Sequence, residues 1–164
     1  MLRALVDDLT AIPDVEVAIM RDACMHADLP ATLYPVSSVC DFWAEFRRAV
    51  RDADAVWPIA PEQDGMLSRI TAEILQAGRV LLGCRPDAVK IATSKRATAD
   101  VLARAGIAAV PTYVDERSMP PEIGDIVAKQ DDGAGCQETL LFHSRAQLHG
   151  WLRNNTRAGL VFQP

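Results

Sequence analysis

The chain has 164 residues, 49% of them apolar, with 22 acidic against 17 basic side chains. That is enough for one ordinary domain or two small lobes around a real core. The mild acidity argues against bulk binding to nucleic acid or an anionic membrane, which need a basic field, although a few local lysines suffice for a nucleotide.

Residues 1–12 read as an amphipathic helix, with Leu2, Leu5, Val6 and Leu9 at helical spacing. Residues 15–20 read as a short strand, and residues 21–35, with two prolines and no period, as a loop. Residues 39–51 form a second helix, with Phe42, Trp43, Phe46 and Val50 on one face. The unbroken apolar run 55–60 suits a buried parallel strand. Residues 64–77 are helical, with Asp64 as a candidate N-cap and Gly78 as a C-cap, and 80–82 form a short strand. Strand and helix alternate to this point, which predicts an α/β lobe with a parallel sheet.

Arg85-Pro86 changes the texture, and a lobe boundary near Gly83–Pro86 fits the shift. Residues 87–92 and 94–105 read as two helices, the second with Thr93 or Ser94 as N-cap and Gly106 as its stop. Residues 107–114 look like an edge strand broken by Pro111, and 115–124 like a surface loop. Residues 125–129 and 138–142 form a hairpin around a glycine turn. Ser144 opens a last helix and 159–162 a last strand. This half is α+β.

Cys24, Cys40, Cys84 and Cys136 form no C-x-x-C pair, so no zinc knuckle or thioredoxin-type motif is present, and reduced, mostly buried thiols are expected. No catalytic triad or glycosidase-type carboxylate pair is evident. No apolar stretch is long enough for a bilayer and no secretory leader pattern opens the chain, so a cytoplasmic protein is expected.

Two lysines carry the chemistry. Lys129 closes Asp125-Ile126-Val127-Ala128-Lys129 and delivers its charge into a turn containing Gly133, Ala134 and Gly135. Glycines there permit backbone conformations that aim N–H groups at anionic oxygens. Asp131 and Asp132 are unwelcome beside a phosphate unless they face solvent. The plainer alternative is a hairpin turn after an edge lysine. Lys95 stands at a helix start, where a cation opposes the helix dipole unless an anion joins it. The alternative is a solvated lysine beside Arg96. Glu62, after the apolar run, stands at the carboxyl end of a strand, where α/β sheets gather ligands, or is a solvated loop charge. Neither a P-loop nor a Rossmann glycine fingerprint is present.

In order, these segments resemble the ATP-grasp superfamily. The matching pieces are the P-E-x-D-G-x-L turn at 61–67, the helix and lysine at 88–95, and A-G-I-A-A-V-P-T at 105–112. The last is I-V-A-K-Q-D-D-G-A-G-C-Q-E-T at 126–139, similar to V-x-K-P-x-x-G-x-G-S-x-G. D-alanine–D-alanine ligases share the layout. The segments at 59–65 and 88–95 are also similar to the tyramine–L-glutamate ligase-like proteins of methanofuran biosynthesis.

The resemblance implies residues 1–84 as a small parallel-sheet pre-ATP-grasp (Rossmann-like) lobe. Residues 85–164 would be an α+β ATP-grasp N-terminal subdomain, with the catalytic C-terminal part missing. It implies ligation of a carboxylate, possibly glutamate, to an amine in cofactor biosynthesis, through an acyl phosphate at the expense of ATP. Catalysis of this kind is mostly positioning and charge neutralisation. Lys95 and Lys129 would contact phosphates, residues 133–135 would form a glycine lid, and Gln163 would lead into the adenine-binding hinge. Glu62 would face the substrate side, and Mg2+ ligands would lie outside this chain. The chain alone is then expected to be an inactive N-terminal fragment, and its uncovered strand edge would favour a homo-oligomer. Gln130 stands where the family has proline, and Glu138 near a common lid glycine. An alternative is a non-catalytic nucleotide-sensing or protein-binding module on the same fold.

Overall fold

A computed structural model describes residues 2–26, 28–133, 135–136, 138–155 and 158–164, the side chain of Cys40 excepted. The chain divides into two compact units, Met1–Trp57 with Glu73–Leu82, and Pro58–Ala72 with Gly83–Pro164.

The first unit contains α1 (Leu2–Thr10), β1 (Ala18–Asp22), β2 (Thr32–Val36), α2 (Val39–Asp52), β3 (Ala55–Val56) and β4 (Val80–Leu81). The expected parallel pairing is present, but as two separate two-stranded pairs, β1 with β2 and β3 with β4. The apolar stripe of α2 buries Phe46 and Val50, and Val6 and Ile74 are buried in the same unit. Phe42 stacks parallel to Phe46 at 6.0 Å, while Trp43 meets Phe46 edge-on at 5.7 Å. Arg47 forms a two-pronged bond to Glu73, at 2.8 and 2.9 Å.

Three local expectations fail here. The segment 21–35 is not all loop, because Thr32–Val36 pairs with β1. Pro35 is accommodated since β2 bonds to one neighbour only, where a missing N–H breaks no second ladder. The run 55–60 is not a buried strand: pairing stops at Val56, and Trp57 and Ile59 are 53% and 62% exposed. Pro58 and Pro61 remove donors and disfavour continued pairing. Cys24, Cys84 and Cys136 are exposed rather than buried, since all three stand in turns or loops that no core covers.

The second unit begins with a 3-10 turn at Gln63–Gly65 and receives the first half of α3 (Met66–Gln76). Asp64 does not cap that helix; it takes a left-handed backbone at φ 54° inside the turn, followed by Gly65 at φ 68°. Next come α4 (Pro86–Thr93), α5 (Lys95–Arg104), β5 (Ile126–Gln130), β6 (Leu140–Phe142), α6 (Arg145–Asn154) and β7 (Leu160–Gln163). Pro86 occupies the first turn of α4, where its missing N–H costs nothing. The sheet order is β6-β5-β7, antiparallel throughout, with Ile126 opposite Phe142 and Lys129 opposite Val161. The segment 107–114 is not a strand; its one bridge joins Tyr113 to Phe162. One face of the sheet carries the core: Ile126, Ala128, Phe142, Leu160 and Phe162 pack with Met119 and Leu148. That fully covered face fixes the register, because a one-residue slip would turn the apolar set outward.

Candidate functional site

The core registers the opposite face too. Residues 126 and 128 point into the core, so Val127 and Lys129 lie on the other side, with their antiparallel partners Gln163 and Val161. Lys129 is half-buried, and its side-chain ammonium has no hydrogen-bond or ion-pair partner among the described residues. Gln163 donates from Nε2 to Thr112 Oγ1 at 2.7 Å, and its side-chain carbonyl oxygen and second N–H have no partner among the described residues. Gln163 and Thr112 line a cavity of about 250 Å³ together with Lys95, Thr98 and Leu102 of α5 and Val110.

Lys95 reaches this cavity because of how α5 begins. Ser94 is the N-cap, its Oγ accepting from Ala97 N at 3.0 Å. Asp131, in the turn after β5, completes the cap: its carboxylate accepts from Ser94 Oγ at 2.6 Å and from Arg96 N at 2.9 Å. The anion expected at this helix start is thus supplied by the chain itself, and Asp131 neither faces solvent nor lies idle. The Lys95 ammonium donates to the carbonyls of Asp131 (3.0 Å) and Gly133 (2.8 Å).

Both turn glycines have local structural reasons. A Cβ on Gly133 would meet Gln130 Cβ at 2.9 Å, and Gly135 takes φ 64°. Cys136 and Glu138 follow with φ 58° and 54°, so the turn holds several left-handed residues in a short span. Ala134 lies outside the described residues. Glu62 is exposed at the start of the 3-10 turn and makes no contact that ties it to Lys95, Lys129 or Gln163 among the described residues. Thr112 and Asp131 were missed as site residues by sequence reasoning. The only advance signal was an acidic residue two places before Gly133, itself an ordinary turn feature. A larger open hollow of about 550 Å³ beside α6, lined by Glu116, Arg117, His149 and Arg153, contains none of the predicted residues.

Residues 15–89 match the pre ATP-grasp 3 domain family. Solved structures match more of the chain. The biotin carboxylase domain of Hydrogenobacter thermophilus 2-oxoglutarate carboxylase, bound to MgADP, ADP and bicarbonate, superposes with TM-score 0.62 at 16% identity. That match covers 82% of this chain and 34% of that one. The L-amino acid ligase of Bacillus licheniformis gives TM-score 0.62 at 14% identity, covering 91% and 38%. The D-alanine–D-alanine ligase of Coxiella burnetii gives 0.54 at 17% identity, covering 68% and 37%. No curated protein matches. The chain has a mixed α/β fold like that of these structures, and it spans about a third of their length.

No group of three His, Cys, Asp or Glu among the described residues is placed to hold a metal ion. These residues therefore do not fit a magnesium site. No helix among the described residues is long and apolar enough to cross a membrane.

Proposed function

We propose that this chain carries the nucleotide-binding part of an ATP-dependent carboxylate–amine ligase. Residues 1–84 would form its pre-ATP-grasp lobe and 85–164 its ATP-grasp N-terminal subdomain. The observation that carries the reading is convergence. Lys95 and Gln163 line one cavity, and the half-buried Lys129, whose ammonium has no partner among the described residues, stands on the same sheet face as Gln163. A half-buried ammonium without a counter-charge is costly and is relieved by an anion.

In this reading Lys129 and Lys95 neutralise phosphate charge, and the turn that bears Gly133 and Gly135 covers the phosphates. The side-chain carbonyl and second N–H of Gln163 meet the edge of the base. A carboxylate oxygen of the acid attacks the γ-phosphorus of ATP, releasing ADP and forming an acyl phosphate; the amine nitrogen then attacks the acyl carbon, releasing phosphate and a proton and leaving an amide. Glu62 would serve the substrate side. Magnesium ligands would come from the part of such ligases that this chain does not span. The narrower reading, glutamate added to an amine in cofactor biosynthesis, is supported by sequence resemblance at 59–65 and 88–95 alone.

The test is calorimetric titration of the 164-residue chain with ATP and with adenosine. ATP is expected to bind more tightly than adenosine. Lys129→Ala should weaken ATP by ~1.5–3 kcal/mol, the worth of a charge-assisted contact. Unchanged ATP affinity in that variant would remove Lys129 from the phosphate site. In any ligase of which this chain is a part, ATP is consumed only when acid, amine and magnesium are all present. Binding without turnover marks the alternative, a nucleotide-sensing module.

A further inference from the structure

Three consecutive residues at the start of α5 bond to a single distant residue. Ser94 Oγ and Arg96 N donate to the two carboxylate oxygens of Asp131, and Lys95 donates to its carbonyl from both its backbone N (3.1 Å) and its Nζ (3.0 Å). Asp131 N in turn donates to Gly159 O at 2.8 Å, beside β7. One residue therefore joins the helix that carries Lys95, the turn that carries Gly133 and the chain entering the strand that carries Gln163.

We propose that Asp131 is a positioning residue that fixes Lys95 for anion binding. This deepens the nucleotide reading and rests on it. An ammonium has three N–H groups. Two are held by the carbonyls of Asp131 and Gly133, and the third has no partner among the described residues. A lysine side chain free to rotate would lose several rotameric degrees of freedom on meeting a phosphate. Here that ordering precedes the ligand, so less of the contact energy is lost on binding. The carboxylate itself does not spoil an anion site, because a side-chain O–H and a helix N-terminal N–H already bond its two oxygens. An aspartate next to a phosphate turn, unfavourable as a bare charge, becomes favourable as the peg that seats the lysine.

The test compares Asp131→Ala and Asp131→Asn with the parent protein, using ATP and adenosine as probes. Asp131→Ala should weaken ATP roughly tenfold, the size of one charge-assisted contact, and leave adenosine unchanged. Asp131→Asn keeps an acceptor for Arg96 N and can still bond Ser94 Oγ, so it should restore most of the ATP affinity. A purely structural role would lower both affinities together or neither, and either result overturns the proposal. Should Asp131→Ala fail to fold, Ser94→Ala removes one of the two carboxylate bonds and should give a smaller, ATP-selective loss; an equal loss for adenosine overturns the proposal. If the parent binds no ATP, the nucleotide reading falls by itself. The positioning claim is then decided by hydrogen exchange of the Lys95 side-chain N–H protons. They should be protected in the parent and lose protection in Asp131→Ala, whereas equal protection in both contradicts it.

Discussion

The two units use their chain differently. The first makes two isolated parallel pairs, and Leu33 on β2 and Val80 on β4 remain 40% and 59% exposed. The second makes one three-stranded antiparallel sheet, one face of which is filled from Met119 to Phe162. A covered face fixes register, and fixed register decides which residues share the opposite face. Lys129 and Gln163 are neighbours of one surface only because Ile126, Ala128, Leu160 and Phe162 are locked into the other. Nothing comparable organises side chains on β1 to β4.

The comparison can be broken by mutation. Phe162→Ala should cost ~3–5 kcal/mol, because it empties a fully covered position, whereas Leu33→Ala on the half-open pair should cost under about 1 kcal/mol. Chemical denaturation of both variants measures this, and equal losses would sink the contrast. A smaller effect is expected in the turn. Gly133→Ala places a Cβ against Gln130 Cβ at 2.9 Å, so the turn must shift, at ~1–3 kcal/mol. A variant as stable as the parent would mean that the close approach is not kept in solution.

The least expected effect concerns the first unit. Tyr34 donates its hydroxyl to Asp52 at 2.9 Å, and this bond raises the Tyr34 pKa above its ordinary value. A raised folded-state pKa means the contribution is complete below the unfolded pKa, about 10, and is lost as pH rises through the folded value. Of the 2 tyrosines, Tyr34 should therefore ionise late in an ultraviolet titration and earlier in Asp52→Ala. Identical curves would show that this exposed bond is not held.

What could be read in advance was local. The stripe of α2, the caps Ser94 and Ser144, and the hairpin around 130–139 follow from period, capping and turn chemistry within a few residues, and all are present. Strand β2 was hidden because Pro35 argues against a strand until its edge position is known. The run 55–60 looked buried because burial belongs to what packs over a strand and not to the strand. Of the candidate site, Lys95 and Lys129 could be singled out by their places in the sequence and Gln163 through the resemblance, but Asp131 depends on contacts across 35 to 37 residues, which no local pattern encodes.

The central claim is that the second unit holds an anion-binding nucleotide site. The most direct measurement is a nuclear magnetic resonance titration of the isotopically labelled chain with ATP. Shifts concentrated at Arg96, Lys129, Gly133 and Gln163, with Leu33 and Val56 unmoved, are the predicted result. No shifts at millimolar ATP, or shifts confined to the first unit, would contradict it.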